Sequence, residues 1–133
     1  MDMEKDLVKS DSGLGAIRIA DEVVSIIAGL AATEIDGIAG MSGGLVGGIA
    51  EMLGRKNFSK GVKVEVGERE AAIDLYIIVK YGVRIPDVAL SAQENVKRAI
   101  ETMTGLSVVE VNIHVQGVSF PEEEEKIEEV RVH

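Results

Sequence analysis

The sequence of 133 residues contains no cysteine and few aromatic residues: two Tyr, two Phe and no Trp. The lack of cysteine excludes disulfides and thiolate metal sites, and it is compatible with a reducing compartment. So few aromatic rings make a poor stacking platform for single-stranded nucleic acid. The net charge of −9 also opposes general binding to phosphate backbones, which depends on Lys and Arg. We therefore expect no nucleic-acid partner.

The chain also lacks a long apolar run. Its longest weakly polar stretch, residues 37–50, is shorter than the ~20 apolar residues of a spanning helix. We predict a soluble chain without a transmembrane segment, made of a disordered polar N-terminus (1–12), a single domain (13–120) with a Gly-rich insert (37–61), and an acidic tail (121–133). The tail carries −4 of the net charge. It is read as a solvated end, with a short docked helix as the alternative.

Groups for covalent chemistry are scarce. The only internal histidine, His114, falls within a predicted strand, and His133 is the last residue. Hydrolytic triads require a base beside a nucleophile, and zinc sites require clustered His or Cys. We predict a protein that is not an enzyme and that uses no cofactor and no metal.

Hydrophobic periodicity predicts six elements. Three strands and two helices have clear patterns, and a short strand opens the series. The strands alternate apolar and polar side chains, which favours a mainly antiparallel sheet covered on one face by helices. We predict an α+β two-layer sandwich, with a mainly antiparallel four-stranded sheet, two main helices on one face and a short Gly-rich helical insert. The predicted elements are strand 15–20, helix 21–35, strands 62–66 and 71–81, helix 85–105 and strand 108–117.

The register of the second and third strands follows from their burial pattern. A loop at residues 67–70 sets Val64 opposite Ile73, and a slip of one residue would put the apolar side chains on the wrong face. The same register sets Lys63 opposite Asp74 on the other face. We predict a cross-strand ion pair between these two residues, with a catalytic role for the carboxylate as the alternative.

The uncovered face of the sheet carries two apolar side chains, Tyr76 and Ile78, among polar neighbours. Exposed apolar side chains that lie together on a surface often mark a site of interaction. We interpret it as a candidate docking surface, with a plain solvent-exposed face as the alternative. Its predicted members are Lys63, Asp74, Tyr76, Ile78, Lys80, Asn112, His114 and Gln116.

The glycine-rich stretch 40–61 repeats glycine every four residues. If it is helical, one side is bare backbone, which permits close helix–helix approach, and cations follow at its end. Three interpretations stay open for this stretch: packing on its own domain, contact with a protein partner and contact with anionic lipid. A phosphate loop is disfavoured because Ile49 and Ala50 occupy the Lys and Ser/Thr positions. An RNA-clamping GxxG at 44–47 is a weak match. The predicted partner-binding residues here are Gly40, Gly44, Leu45, Gly48, Ile49, Met52, Arg55, Lys56 and Phe58.

Four segments together resemble the alkaline shock protein family, the envelope stress response proteins of Gram-positive bacteria. They are GAIRIADEVVSIIAGLAATEIDGIAGM, IDLYIIVKYGVRIP, QENVKRAIETMTGL and VVEVNIHVQGV, and they cover about residues 13–118. The resemblance implies an abundant, non-enzymatic cytoplasmic protein at the inner face of the membrane. It further implies self-association as a homo-oligomer and a small membrane-anchor protein as partner. The positions that match the family pattern are implied to define the fold: Tyr81, Gly82, Gln93, Asn95, Met103, Thr104, Gly105 and Asn112.

The leading functional hypothesis is a scaffold that docks copies of itself and a membrane-protein partner through the sheet face and the glycine-rich stretch. The alternative is a regulatory binding subunit of a lipid- or envelope-metabolism enzyme. An RNA-binding module is the third hypothesis. The surface features are common to the first two, so the residues alone do not separate them.

Overall fold

A computed structural model describes residues 7–11, 13–42 and 60–121. It has the predicted α+β architecture, in which two helices cover one face of a mainly antiparallel four-stranded sheet. Of the predicted Gly-rich insert (37–61), residues 43–59 lie outside the described residues. In chain order the elements are β1 (Leu7–Asp11), β2 (Ala16–Ala20), α1 (Asp21–Thr33), β3 (Ile38–Met41), β4 (Val62–Val66), β5 (Glu70–Lys80), α2 (Ile85–Thr104) and β6 (Ser107–Ser119).

Strand β5 is the centre of the sheet. Two strands pair antiparallel with different parts of one edge of β5. β4 pairs with its first half, and β3 pairs with its second half. The other edge of β5 pairs with β6 in parallel. The parallel pairing follows from the connection, because α2 crosses between β5 and β6 and returns the chain to the same end of the sheet.

The predicted register between β4 and β5 is confirmed. Val64 lies opposite Ile73 and Lys63 opposite Asp74. The turn closes where the Gly67 N–H donates to the Glu70 carbonyl over 2.8 Å. Burial explains the register, since alternate residues of β5 face the helices and are buried: Ala71, Ile73, Leu75, Ile77 and Val79.

The strand predicted at 15–20 was assigned to the main sheet, and this is wrong. β2 instead forms a separate two-stranded hairpin with β1, in the register Leu7 opposite Ala20. The residues of β1 belong to the range predicted as disordered. Gly13 turns the chain at φ +82°, which is the left-handed conformation that glycine adopts freely. The fourth strand of the main sheet is β3, which lies inside the predicted insert.

Helix α1 presents a different side to the core than its periodicity predicts. The helical spacing of Val23, Ile26, Ile27, Leu30 and Ala31 predicts one buried stripe, but Val23 and Leu30 are both more than two-fifths exposed. The helix packs against α2 as well as against the sheet, and small side chains allow this close approach. The Asn95 side chain of α2 donates to the Ala31 carbonyl over 2.7 Å. The buried residues of α1 are Val24, Ile27, Ala28, Gly29, Ala31 and Ala32.

Helix α2 follows its prediction closely. It ends where Gly105 adopts φ +78° and donates its N–H to the Glu101 carbonyl, the left-handed termination expected of glycine. Helical spacing predicts a buried stripe on α2 that includes Ala92, Val96, Ile100 and Met103. The first three are fully buried, whereas Met103 is 67% exposed. Met103 lies in the last turn of the helix.

Candidate functional site

The uncovered face of the sheet brings together the residues predicted for it. Asp74, Tyr76 and Ile78 alternate with the buried residues of β5 and are only half-buried. Asn112 of β6 lies opposite Asp74, and His114 lies opposite Tyr76. The pairing of β5 with β6 therefore sets the predicted docking residues Tyr76, Ile78, Asn112 and His114 side by side.

Four side chains of this face form a connected group, which we call the Tyr76 cluster: Lys63, Asp74, Tyr76 and His114. The rings of Tyr76 and His114 stack with centroids 4.5 Å apart and planes at 12°. The Lys63 ammonium lies 5.4 Å from the Tyr76 ring centroid, within cation–π range. His114 Nε2 lies 3.1 Å from Asp74 Oδ1. Tyr76 is thus held between a cation from β4 and an imidazole from β6.

The predicted ion pair between Lys63 and Asp74 is not the contact that forms. Among the described residues, His114 contacts the Asp74 carboxylate through Nε2, while the Lys63 ammonium lies over the Tyr76 ring. The hydrogen bond from His114 holds the pKa of Asp74 below its usual value. Partial burial opposes this, while the Asn112 side chain and the charges of His114 and Lys63 also lower the pKa. Lys63 acts on Asp74 through its charge.

Ile78 stands between two positions without side chains. Gly40 of β3 lies opposite it on one side and Gly117 of β6 on the other. A Cβ added at Gly40 would meet nothing within 4 Å, so that flank of Ile78 is open. Near Ile78, the Ser42 hydroxyl donates a hydrogen bond to Gln116 Oε1 over 2.7 Å. This bond crosses β5 on the open face and links the residue after β3 to β6.

The described residues on either side of segment 43–59 come together at the backbone of Tyr76. The Ser42 N–H donates to the Tyr76 carbonyl over 2.7 Å, and the Tyr76 N–H donates to the Gly61 carbonyl over 2.8 Å. The chain therefore leaves the sheet and returns to it opposite one residue. No pattern in the sequence predicts this convergence, because it arises only when β3 and β4 pair with the same edge of β5.

Most of the predicted partner-binding residues of the glycine-rich stretch fall on segment 43–59. Of that set only Gly40 is described, and it lies in β3. The others lie outside the described residues and stay predictions: Gly44, Leu45, Gly48, Ile49, Met52, Arg55, Lys56 and Phe58.

The Tyr76 cluster includes a His–Asp contact. A His–Asp contact orients the imidazole in hydrolytic triads, but among the described residues the hydrogen bond found for His114 is the one to Asp74, with no hydroxyl joined to it. The same residues contain no group of three His, Asp or Glu side chains that could hold a metal ion. What the cluster presents is a stacked ring pair, a cation and a carboxylate, all accessible from one side.

Fold and face together define a small α+β domain in which two helices cover one side of the sheet, while no helix among the described residues covers the other. Neither helix of the described chain combines the length and apolar character needed to cross a bilayer.

Comparison with known proteins places this domain in a family. Residues 9–120 match the alkaline shock protein 23 family, described as having a cell envelope-related function, and the chain belongs to that family. This confirms the resemblance to the alkaline shock proteins. No solved structure matches the chain.

Several bacterial relatives are similar over most of the chain. The Bacillus subtilis proteins YqhY and YloU are 44% identical over 122 residues and 43% identical over 106 residues. These alignments cover 92% and 78% of this chain, and 88% of each relative. A Streptococcus pyogenes protein named stress response regulator gls24 homolog is 33% identical over 110 residues, which are 82% of this chain and 62% of that relative.

Proposed function

We propose that the protein is a non-enzymatic scaffold of the envelope stress response. In this proposal it is cytoplasmic, it associates with copies of itself, and it docks at the inner face of the membrane through a small membrane-anchored protein. The observation that supports this best is the Tyr76 cluster on the open sheet face, because it offers an ordered recognition surface. Membership of a family with a cell envelope-related function supplies the context.

The cluster suits binding because its side chains are already held in place. Tyr76 is stacked on His114, and His114 is hydrogen-bonded to Asp74. Ordering a mobile side chain at an interface costs about 0.5–1.5 kcal/mol, and that cost has largely been met here before a partner arrives. Tyrosine is also among the residues that most often dominate binding energy at interfaces.

The size of the open face bears on what else takes part. The open face is three strands wide, at about 4.8 Å per strand, and as long as the eleven residues of β5, at about 3.3 Å per residue. Its area is therefore roughly 500 Å². A standard interface buries about 800 Å² on each partner. We infer that segment 43–59, which lies in the chain between Ser42 and Gly61, the two residues whose backbones bond that of Tyr76, contributes the remaining contact through its glycines and its cations.

Affinity capture from native lysate and solubilised membranes tests the proposal. Tyr76→Ala removes the centre of the cluster, and Tyr81→Ala is the matched control because Tyr81 is exposed and lies beyond the end of β5. We expect the wild type and Tyr81→Ala to retain an integral membrane protein that Tyr76→Ala loses. Equal capture by all three would contradict the role of the cluster.

One comparison favours a second candidate, a regulatory subunit of an enzyme of lipid or envelope metabolism. The relative named stress response regulator gls24 homolog carries a regulatory description. This alternative predicts that the Tyr76-dependent captured protein is a soluble enzyme, and that its activity changes when the complex forms.

A further inference from the structure

The outer edge of β6 is a long strand edge that no other described strand pairs with. β6 runs for 13 residues, and within the described residues it pairs with β5 alone. A strand edge of this kind presents backbone N–H and carbonyl groups to which another chain can add. Extra residues at Val109 and Gln116 shift the register with β5, which leaves Glu110–Val115 as the regular stretch.

The outward backbone groups of this stretch can be assigned. In a parallel pair, alternate residues turn both their N–H and their carbonyl toward the neighbouring strand. The Val111 carbonyl accepts a hydrogen bond from Gln93 Nε2 over 2.9 Å, so Val111 faces outward, and Ile113 and Val115 do so by alternation. The bond from Gln93 uses one of the two lone pairs of that oxygen, and the other is available to a second donor.

Apolar side chains flank the same edge. Val109 is 55% exposed and Val115 is 37% exposed, although both belong to a strand of the main sheet. On α2, Leu90 is 55% exposed and lies one helical turn before Glu94. Glu94 lines a groove of about 220 Å³ between α2 and the first half of β6. Exposed aliphatic side chains beside open backbone groups are typical of an edge that another strand covers.

We propose that this edge pairs antiparallel with β6 of a second copy, so that the two sheets become one continuous sheet. An isologous contact requires a surface that is complementary to itself. With the two-fold axis at Asn112, Glu110 lies opposite His114 of the second copy, and the same pair occurs again by symmetry. Opposite-charge or hydrogen-bonded pairs across strands stabilise a sheet. Val109 then neighbours Val115 of the second copy on the helix-covered side.

Other registers that keep the same faces together are less complementary. With the axis at Ile113, Glu110 falls opposite the uncharged Gln116. With the axis at His114, the two imidazoles face each other. Moving the axis by one residue shifts the register by two residues, which keeps the same faces together. A register shift by an odd number of residues would set the open face of one copy against the helix-covered face of the other.

The helices also fit this axis. α2 runs antiparallel to β6, and its Gln93 is level with Val111. A helix rises about 1.5 Å per residue and a strand about 3.3 Å, so the position level with Asn112 is close to Leu90. The exposed Leu90 side chains of the two copies therefore approach each other across the axis, above the joined strands.

This inference rests on the self-association in the proposed function and names its surface. The test is sedimentation equilibrium of the full chain over a range of concentrations, with hydrogen exchange of the Ile113 and Val115 amides. We expect a dimer whose formation slows exchange at both amides. Leu90→Lys should weaken dimerisation at least about tenfold, whereas Leu30→Lys, at a residue of α1 with similar exposure, should leave it unchanged.

A charge exchange tests the register. Glu110→Lys sets a cation against His114 of the second copy, and His114→Glu sets two carboxylates together, so each variant should dimerise less well alone. An equimolar mixture of the two should recover a heterodimer, since every cross-strand pair is then of opposite charge or hydrogen-bonded. Circular dichroism of each variant confirms that both copies are folded before mixing.

Three outcomes would overturn the inference. A dimer that tolerates Leu90→Lys and Glu110→Lys but is lost with Tyr76→Ala would place self-association on the open face, and the proposed function would stand. A monomer whose Ile113 and Val115 amides are protected at every concentration would mean that another part of the same chain covers the edge. A monomer with rapidly exchanging amides would refute both the edge dimer and the self-association in the proposed function.

Discussion

Replacing Gly61 by alanine should destabilise the domain at the point where segment 43–59 rejoins the sheet. Gly61 has φ +77°, and a Cβ there would lie 3.0 Å from the Ser42 carbonyl oxygen and 3.0 Å from the Tyr76 carbonyl oxygen. The left-handed conformation costs an alanine about 1–2 kcal/mol. Overpacking against groups that cannot turn away adds about 1–3 kcal/mol. We therefore expect a loss of about 2–5 kcal/mol in the free energy of unfolding.

Gly105 provides the control for this prediction. Its φ of +78° matches that of Gly61, but a Cβ added there would meet nothing within 4 Å. Gly105→Ala should lose only the conformational part, about 1–2 kcal/mol. The difference between the two variants then measures the close approach of β3 and β4 at Tyr76.

Urea unfolding followed by circular dichroism measures both variants. With a slope of about 1–3 kcal/mol/M, an extra loss of about 2 kcal/mol at Gly61 lowers the midpoint by roughly 1 M relative to Gly105→Ala. Equal midpoints with equal slopes would refute the reasoning, because they would show that the backbone at Ser42 and Tyr76 accommodates a side chain without cost.

Burial, hydrogen bonding and charge each give one further prediction. Ile100→Ala removes a fully buried side chain and should lower the free energy of unfolding by about 2–5 kcal/mol. Met103→Ala on the same helix should change it by no more than about 0.5 kcal/mol. Similar losses of stability for both variants in thermal unfolding would contradict the assigned buried face of the helix. Asn95→Ala leaves the Ala31 carbonyl without its 2.7 Å donor and should cost about 1–3 kcal/mol in urea unfolding, and a change below about 0.5 kcal/mol would show that water replaces the amide. The pKa of Asp74 is lowered on folding by its hydrogen bond from His114, so its contribution to stability is present above the usual aspartate pKa of about 4 and is lost as pH falls through the lowered value. The wild type should accordingly lose more stability than Asp74→Asn on acidification below about pH 4, and parallel pH profiles would argue against the contact.

The sequence was sufficient to predict those parts of the fold in which burial alone decides. The register of β4 on β5 follows from alternation, because any slip of one residue would expose the valines to water. The open face follows from the same alternation, and so does the joint placement of Tyr76, Ile78 and His114.

Features that depend on the position of neighbouring elements were not predictable. The face of α1 could not be assigned correctly because α2 packs closely beside it and favours small residues such as Ala28 and Ala31 at the contact. Strand β3 has only four residues, one of them Gly40, and lies next to glycine-rich sequence that shows no alternation. The His114–Asp74 contact requires β6 to run parallel to β5, and the side-chain pattern of β6 is compatible with either direction.

The pairing of Ser42 and Gly61 on either side of one backbone position has a consequence for how such a domain can diversify. Because the chain departs and returns at neighbouring points, the length of what lies between is nearly independent of the sheet. Doubling a flexible connection costs only about 0.6 kcal/mol in closure entropy. A new specificity could thus be built between these two residues while the β-sheet beneath keeps every hydrogen bond it has.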